Sequence, residues 1–138
     1  MTKKELEQII IQGEGYYTEF KRDLNSDFKK ELSAFANSSG GKIFLGIQDN
    51  GTICGININN ELRSAIQQHA NDCDPPVEIQ MEPVENILVI TVAEGKQKPY
   101  RATNGFYLRV GPNSQKMDTD RIVEFIERYG RAKFDERV

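Results

Sequence analysis

Apolar positions in the N-terminal third of the chain change period twice, from helical to alternating and back to helical. Thr2 followed by Glu5 is a capping box, and Leu6, Ile9 and Ile10 form a short apolar stripe, which predicts a helix over 3–11. Gly13 and Gly15 end it. Residues 16–22 alternate as a strand does, with Thr18 and Phe20 on one face and Tyr17, Glu19 and Lys21 on the other. Ser26 is placed to cap a second helix, whose Phe28, Leu32, Phe35 and Ala36 fall at i, i+4, i+7 and i+8. The run NSSGG, Asn37 to Gly41, closes it with glycines free to take a left-handed C-cap.

KIFLGI is nearly continuous apolar sequence, the pattern of a central strand buried on both faces. It leads into DNG, a strong hairpin signal, and is expected to return as a strand in TICGI. Glu61 to Cys73 form a third helix with Leu62, Ala65, Ile66 and His69 along one side, and DPP stops it. VEIQME and ILVITV pair as a hairpin around Pro83 to Asn86, GFYLRV is a further strand, and Asp118 or Thr119 opens a last helix over 119–129 bearing Ile122, Phe125, Ile126 and Tyr129. The order of elements predicts an α+β fold: a single domain over 1–138, with one mixed sheet and about four helices packed against it.

Composition fits that picture. The 138 residues are enough for one core, with 38% hydrophobic and 28% charged residues. No apolar run approaches the roughly 20 residues of a membrane span, and MTKKELEQII lacks the apolar segment of a signal peptide, so no membrane contact and a cytoplasmic location are expected. Cys54 and Cys73 stand apart without a CxxC pair, which disfavours structural zinc. Net charge is −3. The distribution says more than the sum. Gly95 to Met117 carries Lys96, Lys98, Arg101, Arg109 and Lys116 and no acid, so all 21 acidic residues lie elsewhere.

Candidate chemistry begins in GEGYYTEFKR, residues 13–22. Strand alternation puts Glu19 and Lys21 on one face, roughly 7 Å apart. Glu14 precedes them across a glycine, and Asp49 stands where the buried strand ends. Three carboxylates beside a lysine could hold Mg²⁺ or Mn²⁺ for phosphodiester hydrolysis, with Glu14, Glu19 and Asp49 as ligands and Lys21 stabilising developing charge. Each residue also has a plainer reading. Glu19 and Lys21 could be a solvated strand face, Asp49 the residue that sets up the Asn50–Gly51 turn, and Glu14 a loop charge. Gly40–Gly41–Lys42 fails as a phosphate loop, because Ala36 and Ile43 stand where glycine and Ser or Thr are required, so no ATP is expected. His69, the sole histidine, is expected to be a half-buried packing residue.

In the positive stretch, Tyr100, Phe106 and Tyr107 interleave with Lys96, Lys98, Arg101 and Arg109. Cations beside stackable rings suit a nucleic-acid surface, RNA in particular, and the alternative is a solvated loop over core aromatics, with Phe106 and Leu108 pointing inward.

Together GEGYYTEFKR, ELSAFANSSGGKIFLGIQDNGTICGI and KPYRATNGFYLRVGPNS resemble the Schlafen-type AlbA domain, from about Gly13 to Asp120. The resemblance implies an α+β fold and a nucleic-acid-associated role. In animal Schlafens, related domains form a metal-dependent endoribonuclease acting on structured RNA. The matching carboxylates here would be Glu14, Glu19 and Asp49, with Lys21 as the cation. The Glu19–Asp49 interval is shorter than in those nucleases, which also pair two such lobes, so a lone domain would need to form a homodimer to build a comparable cleft. Bacterial members are often transcription-regulator-like and carry a helix-turn-helix region, which is not expected in a chain ending RAKFDERV. A non-catalytic DNA- or RNA-binding module is therefore the competing expectation.

Overall fold

The computed structural model describes residues 1–130; the expectations that fall on 131–138, including the end of the single domain and of RAKFDERV, lie outside the described residues. In chain order the elements are α1 (Lys3–Gln12), β1 (Thr18–Lys21), α2 (Phe28–Asn37), β2 (Gly41–Leu45), α3 (Asn60–Asp72), β3 (Ile79–Val84), β4 (Ile87–Val92), β5 (Arg101–Ala102), β6 (Gly105–Val110), β7 (Asn113–Lys116) and α4 (Thr119–Tyr129). Among the described residues the fold is α+β, with four helices and two sheets rather than the one sheet expected. Among the described residues no helix is long and apolar enough to cross a membrane.

The larger sheet runs β1-β2-β4-β3, with β1 and β2 parallel and the other pairs antiparallel. Alternation sorts its side chains into two cores. Ile43, Leu45, Leu88, Ile90 and Val92 face α2 and α3, where Phe28, Leu32, Phe35, Ile66 and Ala70 meet them. Phe20, Phe44, Ile87 and Val89 face α1 and close over Leu6. Burial of β2 from both sides accounts for the unbroken apolar run KIFL.

Two elements depart from the sequence expectation. TICGI is not a strand: only Ile47 and Ile53 bridge, and Cys54 and Gly55 both donate to the Gly46 carbonyl as the chain crosses the sheet end. Both borders of β2 are already taken by β1 and β4, so a returning strand has nowhere to pair. The second sheet, β5-β6-β7, was hidden because Asn113–Lys116 is wholly polar and carries no apolar alternation. The Gly111–Pro112 turn, with Gly111 at φ 57°, was its available signal. The cap of α2 also differs: Asp27, not Ser26, is the N-cap, and its side chain makes no capping hydrogen bond.

Candidate acidic cluster and nucleic-acid interface

Helix α2 lies between the two sheets, and its second face is polar and buried. Ser33 Oγ donates to the Tyr100 carbonyl at 2.8 Å and accepts from the Tyr107 amide at 3.1 Å. Asn37 Nδ2 donates to the Tyr100 and Tyr107 carbonyls, both at 2.9 Å, while its Oδ1 accepts from the Tyr100 amide at 2.6 Å. Ser38 Oγ accepts from the Arg109 amide at 3.0 Å. These three side chains replace the ladder partner that the short β5 and β6 would otherwise lack on this side. They give the motif AFANSS a local physical purpose.

Arg109 then reaches from β6 into the space between α2 and β1. Its guanidinium is fully buried. Nη1 donates to Glu19 at 2.9 Å, to Ser114 at 3.0 Å and to Glu31 at 3.4 Å; Nη2 donates to the Gly15 and Thr18 carbonyls and Nε to that of Tyr16. The guanidinium carbon sits 4.5 Å from the centre of the Phe35 ring, a cation–π contact. Phe35 is in turn held against Gly41, where a Cβ would lie 2.5 Å from the ring. Gly40, at φ 75°, is packed as tightly, because its Cβ would come within 2.7 Å of the Val92 carbonyl. The paired glycines thus let the helix end and the strand begin directly under the ring that supports Arg109.

The sequence-selected carboxylates divide. Glu14 and Glu19 do meet: Glu14 accepts from the Phe20 amide at 3.0 Å, and both Glu14 and Glu31 hydrogen-bond the Glu19 carboxyl. Burial, with those two neighbouring carboxyls, pushes Glu19 up to about 10, against a smaller downward pull from Arg109. That shift favours the protonated carboxyl at neutral pH, and Arg109 Nη1 donates to its Oε1 at 2.9 Å. Lys21 is half-buried at the end of β1, on the face expected. Asp49 is exposed in the Gln48–Gly51 turn, where the side-chain hydrogen bond comes from Asn50, whose Oδ1 accepts from the Thr52 amide at 3.0 Å.

A divalent ion requires ionised oxygens that converge with room for the ion and its waters. Here a guanidinium fills the space among the carboxyls and donates to Glu19 and Glu31. Among the described residues, no group of three or more His, Cys, Asp or Glu is arranged to hold a metal ion. The residues as placed do not fit Mg²⁺ or Mn²⁺. Glu31 was missed in the sequence, although it occupies position i+3 from Phe28 inside the apolar stripe of α2, where a charge needs a buried partner.

The six expected nucleic-acid contacts also divide. Lys96 and Arg101 are exposed. Lys98, Tyr100, Tyr107 and Arg109 are buried, which corrects their expected place on a surface. The cause is the facing of β6: Tyr107 and Arg109 turn toward α2, and Phe106 and Leu108, expected inside, are the half-exposed pair. Lys98 pairs with Glu94 at 3.0 Å and lies over the Tyr129 ring. Other cations border the β5–β6 turn, Arg101 on one face and Lys29 and Lys116 on the other. Lys29 donates to Thr103 at 3.1 Å; Arg101 pairs across the hairpin with Phe106; and Lys116, opposite Tyr107, lays its stem along Gly105.

A crystal structure, that of the DIP2311 protein from Corynebacterium diphtheriae, superposes with a TM-score of 0.60 at 20% identity, over 83% of this chain and 27% of that one. At that identity the likeness concerns the fold alone, and the chain spans about a quarter of the length of that protein. No curated protein matches. The family model described as Schlafen, AlbA_2 matches residues 14–118, a span that opens on Glu14, contains the whole Arg109 clamp and closes at the cap of α4. The chain belongs to the Schlafen AlbA_2 family.

Proposed function

We propose that the chain is a nucleic-acid-binding domain whose contact surface centres on the β5–β6 turn, and that its acidic cluster serves the fold. The family supports nucleic-acid binding, and the observation that carries the location is the exposed Arg101 beside Phe106 on one face of the β5–β6 hairpin, with Lys29 and Lys116 bordering the same turn from its other face. Phe106, half-exposed beside Arg101, is the ring left for stacking. Burial of Tyr100 and Tyr107 removes the residue-level case for RNA over DNA, so both are compared. In a gel-shift or anisotropy titration, Arg101→Ala and Lys116→Ala should each weaken binding across sequences. Each should also lower the slope of log K against log salt by about 1. Unchanged salt slopes in both variants would move the surface elsewhere. Light scattering on the same samples shows whether two copies pair.

Metal-dependent cleavage is a second reading, favoured by one observation, the meeting of Glu14 with Glu19. It requires Arg109 to leave the cluster and Glu19 to lose its proton. A labelled tRNA pool incubated with Mn²⁺ decides it: cuts that vanish with Glu19→Gln and with EDTA would establish an endoribonuclease. Binding without cuts supports the non-catalytic module.

A further inference from the structure

Strand β3 is an outer strand of the larger sheet, and its free edge runs along Ile79–Val84. We propose that this edge receives an added strand from a partner protein, an extended segment in which two cations flank an apolar–polar–apolar centre.

Register decides which backbone groups of β3 are free. The Ala93 amide donates to the Glu78 carbonyl at 3.1 Å, so these two residues extend the antiparallel β3–β4 register as a hydrogen-bonded pair. Such pairs alternate along the ladder. Gln80, Glu82 and Val84 therefore bond toward β4, while the amides and carbonyls of Ile79 and Met81 point away from the sheet. The two-residue turn Glu85–Asn86, with Glu85 at φ 56°, closes on the pair Val84–Ile87 and fixes the same parity. Among the described residues no backbone hydrogen bond from outside the sheet reaches the Ile79 or Met81 groups. Pro83 stands next in the outward row, where a missing N–H breaks no ladder bond, and it ends the run of outward donors.

Side chains then select the strand. Ile79 and Met81 are half-buried against the core under α2 and α3, so residues set beside them on an added strand gain apolar contact. Glu78, Gln80 and Glu82 lie on the opposite face and are exposed. Glu82 receives the Met1 ammonium at 2.6 Å and stays half-exposed, and Glu78 has no ion pair among the described residues. Lysine or arginine opposite each carboxylate, with β-branched apolar residues between them, matches this edge in both charge and backbone. A second copy does not. Antiparallel addition of β3 to itself about Gln80 sets each Glu82 against a Glu78, and like charges directly opposite repel. The edge thus rejects its own kind and admits a cationic strand.

The full chain is titrated with a capped heptapeptide, Thr-Lys-Val-Thr-Val-Lys-Thr, and with the same peptide carrying Glu in place of Lys. Amide hydrogen exchange is read by NMR in the wild type and in a double variant, Glu78→Lys with Glu82→Lys. Both substitutions fall on exposed side chains, so the fold is kept. The Lys peptide should protect the Ile79 and Met81 amides. The double variant should bind it about 10-fold more weakly and should accept the Glu peptide instead. Equal affinity of the wild type for the two peptides overturns the charge match, and binding that leaves the Ile79 and Met81 amides unprotected overturns the location. No binding at millimolar peptide overturns the proposal outright. Self-pairing that protects the same amides without peptide makes a second copy the occupant and overturns the cationic partner. None of these outcomes touches the nucleic-acid reading, which rests on the smaller sheet.

Discussion

The two faces of α2 are buried by opposite means. Toward the larger sheet, Phe28, Leu32, Phe35 and Ala36 pack among aliphatic neighbours, and any of several apolar shapes of the right volume could do so. Toward the smaller sheet, Ser33, Asn37, Ser38 and, through Arg109, Glu31 meet named backbone and side-chain atoms one by one. The first face supplies cohesion without direction. The second supplies an address, since each of its groups is satisfied only in one placement of β5 and β6. Two sheets joined through one helix need both, because apolar packing alone would let the small sheet slide.

Breaking the polar face should cost most where a charge is stranded. Arg109→Met leaves the carboxyls of Glu19 and Glu31 buried without their cation, an expected loss of about 3–5 kcal/mol in chemical unfolding. Asn37→Leu keeps the volume but leaves the Tyr100 amide and the Tyr107 carbonyl unpaired, while the Tyr100 carbonyl keeps Ser33, at about 1–3 kcal/mol for each group left unsatisfied. The matching change on the apolar face, Leu32→Met, should cost under about 1.5 kcal/mol. Equal losses from Asn37→Leu and Leu32→Met would abolish the distinction between the faces.

A smaller effect separates the two by pH. Glu19 binds its proton more tightly folded than unfolded, so its contribution is fully present below about 4.5 and declines as pH rises toward about 10. Wild-type stability should therefore fall with pH across that window. Glu19→Gln, which mimics the protonated carboxyl, should flatten the fall, and a parallel pH profile in that variant would place the proton elsewhere. Arg101→Ala and Lys116→Ala, on the exposed rim, should leave unfolding midpoints unchanged within measurement while altering binding.

The apolar face could be read from sequence because it repeats. Phe28, Leu32, Phe35 and Ala36 announce a helix and its buried side through spacing alone, and KIFL announces a strand covered twice. The polar face has no period. Nothing local tells that Asn37 will meet residues 63 and 70 positions away, or that Arg109 turns inward in a stretch whose charge suggests a surface. Glu14 and Glu19 were found because five residues and a turn suffice to bring them together. Asp49 was not joined to them, since the turn that follows β2 faces solvent. The contacts that sequence missed are long-range and polar, and their partners are backbone atoms that carry no residue identity.

One further property follows from where Glu14 sits. Strand β1 is a border strand, and the outward amides of such a strand invite another chain to add itself. Here the Thr18 amide is taken by the Gly15 carbonyl and the Phe20 amide by the Glu14 carboxyl, so the segment leading into the strand folds back and occupies its open side. A foreign strand arriving at this border finds both donors spent and a carboxyl in its path. The same acidic residue that suggests catalysis in the sequence thus works as a stopper against edge-to-edge aggregation.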